Sequence, residues 1–317
     1  MPHEPGDMLK LGWEFTGIFD DGSGIAGSIA EKYNVPLYGD VDRLFARGIE
    51  AAGTSAVNNV KVDIIEACER HKVHIMADKP AVVDEDQYKR LEQVIKRGQI
   101  QVGLMLSVRF MPAVYTLKKL IDKGAIGQLI SVEIFNPHKL IPDSRAGWFF
   151  DKKQNGGIAV DLFGHSIDTF RWLTGDDIIE YSGIMSKSIL KEKPDFYDAS
   201  QFMVLNRAGV GGYFRVDWHV PENYWSWGDI RIFCTGSKGL VEVRAIGDPV
   251  TREPQVILYG ADSESRKIEL EDPAKTETTD FIDRLGGKSH WITHKDILET
   301  ARLSIEFDKC ARVRKFI

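Results

Sequence analysis

In the first third of the chain, short apolar runs suited to strands alternate with segments whose apolar positions recur every three to four residues. Phe15–Phe19 reads as a strand, Gly24–Tyr33 as a helix and Gly48–Gly53 as a short strand. Val57–His71 reads as a helix with Val60, Ile64, Ile65 and Cys68 on one face; Val73–Met76 follows as strand, Glu85–Arg97 as helix and Gln101–Leu106 as strand. Parallel strands need long crossover connections, so this alternation predicts a parallel sheet wrapped by helices.

Beyond residue 105 the period changes. A helix at Ala113–Lys123 precedes a strand at Gln128–Asn136, and another helix opens near Gly156-Gly157. β-rich stretches then dominate: Ile179–Lys187, Ala199–Asn206, Gly211–His219, Asp229–Cys234, Leu240–Arg244 and Gln255–Gly260. Helical patterns return at Thr278–Leu285 and Lys295–Arg312. The expected fold is α/β: a Rossmann-like dinucleotide-binding domain over 1–105, and an α+β substrate-binding and oligomerisation domain over 106–317 with a large, mostly antiparallel sheet. A change of period with no low-complexity linker marks the boundary, so the two domains should pack closely.

Composition narrows the function. The chain has 317 residues, 43% of them hydrophobic and 28% charged, enough for two cores. A net charge of −6 without a basic tract argues against nucleic acid or an anionic membrane as partner. No apolar run is long enough to span a bilayer, and the N-terminal MPHEPGDMLK lacks the basic-then-apolar order of a signal peptide. Cys68, Cys234 and Cys310 lie far apart with no C-x-x-C, which fits reduced thiols and gives neither a disulfide framework nor a zinc site. A cytoplasmic protein without a metal is expected.

One motif demands weighing. Gly22-Ser23-Gly24-Ile25-Ala26-Gly27 spells G-x-G-x-x-G, the pattern of a turn that rests a pyrophosphate on a helix N-terminus. Asp20 and Asp21 stand between the strand and these glycines, where their charges would repel a diphosphate. A second reading makes Asp20 the acid that ends the second strand of a dinucleotide unit, hydrogen-bonds the adenosine ribose and disfavours NADP. On that reading the first strand and the phosphate turn lie upstream of Met1.

Four stretches together resemble the glucose–fructose oxidoreductase / inositol dehydrogenase (Gfo/Idh/MocA) family. They are Ala30-Glu-Lys-Tyr-Asn-Val-Pro-Leu-Tyr-Gly-Asp-Val-Asp42, His74-Ile-Met-Ala-Asp78-Lys79-Pro80 in place of a strand-ending E-K-P, Gly124-Ala-Ile-Gly-Gln-Leu-Ile-Ser-Val132, and Gly156-Gly-Ile-Ala-Val-Asp161-Leu-Phe-Gly-His165-Ser-Ile-Asp168. Cys234-Thr-Gly-Ser-Lys-Gly-Leu-Val-Glu242 also fits. The resemblance departs from the family pattern at the absent opening strand and at Asp78, a shorter carboxylate than the family's glutamate.

The resemblance implies an NAD-dependent oxidoreductase acting on a secondary alcohol of a sugar, polyol or cyclitol. Its catalytic residues would be Lys79, Asp161 and His165, with His165 exchanging the proton, Asp161 supporting it and Lys79 polarising the hydroxyl. Read without the family, Asp161 and His165 are an i, i+4 pair on one helix face, equally a capped helix with a surface histidine. Lys79 alone is a loop lysine at a strand's carboxyl end, where open α/β sheets bind ligands, and Pro80 biases it away from helix. Cofactor contacts are expected from Asp20, Ser55, Asn58, Asp78, Lys79 and Pro80. Arg109, Asn136, His138 and Trp148 are candidates for the substrate pocket. NAD is favoured over NADP, and a homodimer or homotetramer through the C-terminal sheet is expected because large exposed apolar sheets seldom stay bare. Two alternatives stand: a non-catalytic sugar-sensing relative, and an NAD-using glycosidase or lyase.

Overall fold

All strand pairing in the first half is parallel, as the alternation of strands and helices requires. The computed structural model describes residues 6–20, 26–261 and 264–316; positions 21–25, including most of the glycine motif, lie outside the described residues. Strand β1 (Ile18–Phe19) pairs with β2 (Leu37–Tyr38), and β3 (Ala51–Thr54), β4 (His74–Ala77) and β5 (Val102–Leu104) form a second ladder with β4 in the middle. Only two residues of the expected Phe15–Phe19 strand pair, and β2 has too short an apolar run to register as a strand in the sequence.

Helices fill the crossovers. Glu85–Arg97 occupies the bounds its pattern predicts: the Asp84 carboxylate accepts from the Gln87 N–H at one end, and left-handed Gly98 closes the other. The helix Lys61–His71 differs from expectation. Its buried positions are Lys61, Val62, Ile65, Cys68 and Glu69, whereas Val60 is exposed. The buried stripe is offset from the one drawn through Val60 and Ile64, and a lysine stands at its head.

The second half is built on a nine-stranded sheet. Its strands are β6 (Leu129–Pro137), β7 (Ile178–Lys187), β8 (Ala199–Asn206), β9 (Gly211–Asp217), β10 (Arg231–Gly236), β11 (Gly239–Arg244), β12 (Gln255–Gly260), β13 (Arg266–Lys267) and β14 (Arg312–Lys315). They lie in the order β13-β12-β11-β10-β6-β9-β8-β7-β14. Pairing is antiparallel except for β6 with β9 and β7 with β14. One face packs on the long helix Ile158–Thr174, through Phe163 against Phe202 and Phe170 against Phe214. On the other, the register aligns Met203, Tyr213, Glu133 and Phe233, with Phe135 touching both Tyr213 and Phe233. Met203 is 67% exposed there.

The C-terminal helix His294–Cys310 joins the halves. Leu303 and Phe307 enter the core under the large sheet, while Ile297, Ala301 and Ile305 enter the core around β4 and β5. Apolar positions on two faces of one helix thus serve two cores, which fixes how Lys79 and the Ile158–Thr174 helix meet. Among the described residues no helix is long and apolar enough to cross a membrane.

Phe307 is fully buried and stacks on Phe202 with ring centroids 4.1 Å apart. Phe307→Ala is therefore expected to cost about 3–5 kcal/mol, read as a lowered midpoint in urea unfolding.

Candidate active site

The site forms where the carboxyl end of β4 meets the start of the Ile158–Thr174 helix. Gly156 and Gly157 open that helix with φ of +95° and +81°, a left-handed turn that glycine adopts without strain. Asp161 follows in the first turn, where the helix N-terminus favours an anion. Lys79, just beyond β4, reaches across from the first half. Its Nζ donates to Asp161 Oδ1 at 2.9 Å and to the Asp161 main-chain oxygen at 2.8 Å. The pair is largely removed from water, with the side chains 23% and 9% exposed.

Burial by itself would raise the Asp161 carboxyl. The charge and hydrogen bond of Lys79, with smaller help from His138 and Asn155, outweigh it and hold the group below the usual carboxylate range. One turn further on, His165 has its Nδ1 buried without a hydrogen-bond partner among the described residues. Burial first, then the positive charge of Lys79 and the neighbouring His138, push its pKa down to about 3, and Asp161 opposes them. Burial and Lys79 likewise bring His138 down to about 4. Both imidazoles are therefore neutral at physiological pH, inside the electrostatic reach of one ion pair.

A second lysine builds the turn that carries Lys79. Lys61, fully buried, pairs with the Asp78 carboxylate and donates to Asn58 Oδ1 at 2.9 Å, Pro80 O at 3.2 Å and Asp78 O at 3.3 Å. Burial lowers its pKa and Asp78 opposes the shift. Asn58 Nδ2 donates to Asn155 O at 3.0 Å, and Asn155 Oδ1 accepts from the Gly157 N–H at 3.1 Å, so the network runs from the Asp78–Pro80 turn to the glycines that open the Ile158–Thr174 helix.

The structure thus gathers Lys79, Asp161, His165 and His138 into one group and places Asp78, Asn58 and Pro80 directly behind it, held by Lys61. Asp20 stands at the carboxyl end of β1 and exposed Ser55 just past β3. Asn136 is buried on β6, its Oδ1 without a partner among the described residues, and its carbonyl lies 3.1 Å from His138 Nδ1. Trp148 is half-buried on the turn Gly147–Phe150 against Phe149.

Arg109 lies elsewhere. It forms a buried fork on Asp168, with Nε–Oδ2 2.7 Å and Nη2–Oδ1 2.5 Å, and donates to Trp291 O at 2.9 Å. Asp168 shares a helix face with Asp161 and His165, but two turns along it serves this pair. Sequence reasoning missed Lys61, Asn155 and Arg145. The spacing of Lys61 with Ile65 and Cys68, i, i+4 and i+7, was the available signal for the first.

Comparison with known proteins agrees with this architecture. Residues 3–105 match a family described as "Oxidoreductase family, NAD-binding Rossmann fold", and residues 114–242 match the "GFO/IDH/MocA C-terminal domain". Inositol 2-dehydrogenase of Rhizobium meliloti is 25% identical over 220 residues, covering 66% of this chain and 64% of that protein. Rhizopine catabolism protein MocA, also of Rhizobium meliloti, is 24% identical over 212 residues, 66% of this chain and 63% of that protein. The chain thus matches just under two thirds of the length of these curated relatives. Among solved structures, levoglucosan dehydrogenase with NADH and levoglucosan superposes with a TM-score of 0.80 at 19% identity, covering 93% of this chain and 87% of that one. An aldose–aldose oxidoreductase from Caulobacter crescentus gives 0.78 at 18% identity, covering 94% and 89%. With both halves matched in order along one chain, the protein belongs to the Gfo/Idh/MocA family.

Proposed function

We propose that this protein is an NAD-dependent oxidoreductase that moves a hydride between nicotinamide and a secondary alcohol of a sugar, polyol or cyclitol. The observation that carries the reading is the Lys79–Asp161 pair formed across the two halves, with the neutral imidazole of His165, whose buried Nδ1 has no hydrogen-bond partner among the described residues, beside it. An orphaned buried nitrogen and a lysine at a strand's carboxyl end fit a nicotinamide and its substrate at this place. Asp20, at the end of β1, binds the adenosine ribose and sets the preference for NAD over NADP.

A nicotinamide bound at this junction would supply the acceptor for the hydride of the carbinol carbon. The alcohol loses one hydride and one proton and becomes a ketone, and the chain's own residues handle the proton. Lys79 donates to the alcohol oxygen and stabilises its developing negative charge. Asp161 holds the ammonium at that position. His165 takes the hydroxyl proton, and Asp161 favours that transfer because its charge raises the proton affinity of the imidazole.

The open face of the large sheet completes the reading. Phe135, Tyr213, Phe233 and Met203 share this face with Glu133, which lies between Tyr213 and Phe233, and with Arg215, Arg231 and Glu242 beside the aromatic rings. A self-complementary patch of this kind supports a homodimer, or a tetramer built from dimers.

Four outcomes test the proposal. Titration with NADH, followed by nicotinamide fluorescence, should saturate. Lys79→Met and His165→Asn should each lower the rate of NAD reduction over a panel of sugars and inositols by about 10²–10⁴-fold; absence of NADH binding overturns the reading. Between pH 7 and 5 the unfolded chain takes up protons near the ordinary histidine pKa of about 6.5, while folded His138 and His165 stay neutral down to about 4 and about 3. Stability is therefore full above the unfolded value and falls with acid, by on the order of 1 kcal/mol per histidine over this span. His74 and His294, also lowered by burial, act in the same direction, and His219, raised by Asp198, acts against them. Urea unfolding of His165→Asn should consequently show a shallower pH slope than the wild type. In sedimentation at micromolar concentration the protein should run as a dimer or larger, and Met203→Glu should shift it toward monomer.

A further inference from the structure

The charges of the site do not all close. Lys79 is matched by Asp161 and Lys61 by Asp78. Arg145, on the loop after β6, has no carboxylate within 4 Å among the described residues, although it is half-buried. Its guanidinium lies over three aromatic rings, 4.3 Å from the centroid of Phe149, 4.7 Å from Trp227 and 5.4 Å from Trp218. Nε donates to Leu140 O at 2.9 Å and Nη2 to Lys139 O at 3.3 Å, leaving Nη1 without a hydrogen bond among the described residues. Trp218, one of the rings beneath it, meets His138 edge-on at 5.7 Å. Arg145 is thus one aromatic ring away from the imidazole group, and Asp161 lies within its electrostatic reach.

Taking a cation partly out of water without a counterion is costly. At Lys79 and Lys61 that cost is met by a carboxylate of the chain itself. Here the aromatic faces fix the guanidinium plane and two backbone carbonyls fix its azimuth, while one edge stays open. A planar fork held this way matches a planar carboxylate. Lys139, whose carbonyl accepts from Arg145, is buried with its own Nζ committed to the Tyr224 carbonyl. A single open guanidinium edge suits one negative charge better than the two of a phosphate monoester.

We propose that Arg145 binds a carboxylate of the substrate, so that the alcohol oxidised at Lys79 and His165 belongs to a sugar acid, an aldonate or a uronate. This rests on the oxidoreductase reading above and deepens it. The reaction stays balanced as written there: the hydroxyl-bearing carbon is oxidised to the ketone, and the carboxylate is a handle that undergoes no change.

Aldonates and uronates are titrated against their matched neutral sugars, with D-glucose 6-phosphate as a further arm. Intrinsic tryptophan fluorescence, with Trp218 and Trp227 beside Arg145, is recorded with and without NADH. The acids should bind at least about 10-fold tighter than the neutral sugars, as one charge-assisted contact provides. Arg145→Gln should bring that ratio near one, and Arg145→Lys should keep part of it. Saturable NADH binding by both variants verifies that they are folded. Equal binding of acid and neutral sugar, tighter binding of the phosphate, an acid preference that survives Arg145→Gln, or no response to any of these compounds each overturns the assignment. If neutral sugars are still turned over with NAD, the oxidoreductase reading survives that failure; if NADH does not bind, that reading fails on its own measurement.

Discussion

The Lys79–Asp161 ion pair is the constraint around which the rest of the structure is arranged. A carboxylate this deeply buried is tolerated only when a cation and hydrogen bonds meet it, and here the cation comes from the other half of the chain. The relative placement of the two halves therefore decides whether the site exists at all. That placement is set by the C-terminal helix His294–Cys310, which lends Ile297, Ala301 and Ile305 to one core and Leu303 and Phe307 to the other. It is reinforced by the Asn58–Asn155 hydrogen bond running beside the pair. Lys79 also acts on its surroundings: its charge, added to burial, keeps both His138 and His165 uncharged. One side chain thus closes the interface and sets the protonation of the groups around it.

Lys79 itself is placed by Lys61. A fully buried ammonium bound to the Asp78 carboxylate and to the carbonyls of Asp78 and Pro80 gathers the turn after β4 from behind. The carboxylate of Asp78 is drawn toward Lys61, so the shorter acid in place of the family's glutamate has a partner at hand inside the protein. The two lysines divide the labour. Lys61 has spent its donors on holding the turn, and Lys79 keeps its ammonium at the junction of the two halves.

How much of this could be read from the sequence depended on whether the information was local. Glu85–Arg97, Ala199–Asn206 and Gln255–Gly260 were legible to the residue, because periodicity and caps lie within the segment. Asp161 and His165 were legible as a pair from their i, i+4 spacing, and Lys79 from its place after a strand. The strand at Phe15–Phe19 was overread because apolar content does not tell how many residues find a pairing partner. Lys61 was hidden because a lysine is taken as solvated unless its register on the helix is known, and the stripe through Val60 and Ile64 put it on the wrong side. Arg109 was a candidate for the cleft or for a salt bridge, and the choice was not legible because its counterion Asp168 is 59 residues away in sequence and contacts it only after folding. Such long-range charge matching leaves no periodic trace.

The same matching gives Arg145 its meaning. Arg109, Arg171, Lys61 and Lys79 are each buried against a carboxylate of the chain, Asp168 and Asp296, Asp177 and Asp296, Asp78, and Asp161 in turn, whereas Lys139, Lys187 and Arg284 are buried against backbone carbonyls. Arg145 belongs with the second group, a half-buried guanidinium with carbonyls and aromatic rings for company, and it is the one placed beside the Trp218–His138 contact at the edge of the site. Aromatic faces lower the cost of such a cation without cancelling its charge, and they leave its hydrogen-bonding edge available. A charge left open by the chain can be met by an opposite one brought from outside, and the place where it would sit is one ring away from His138.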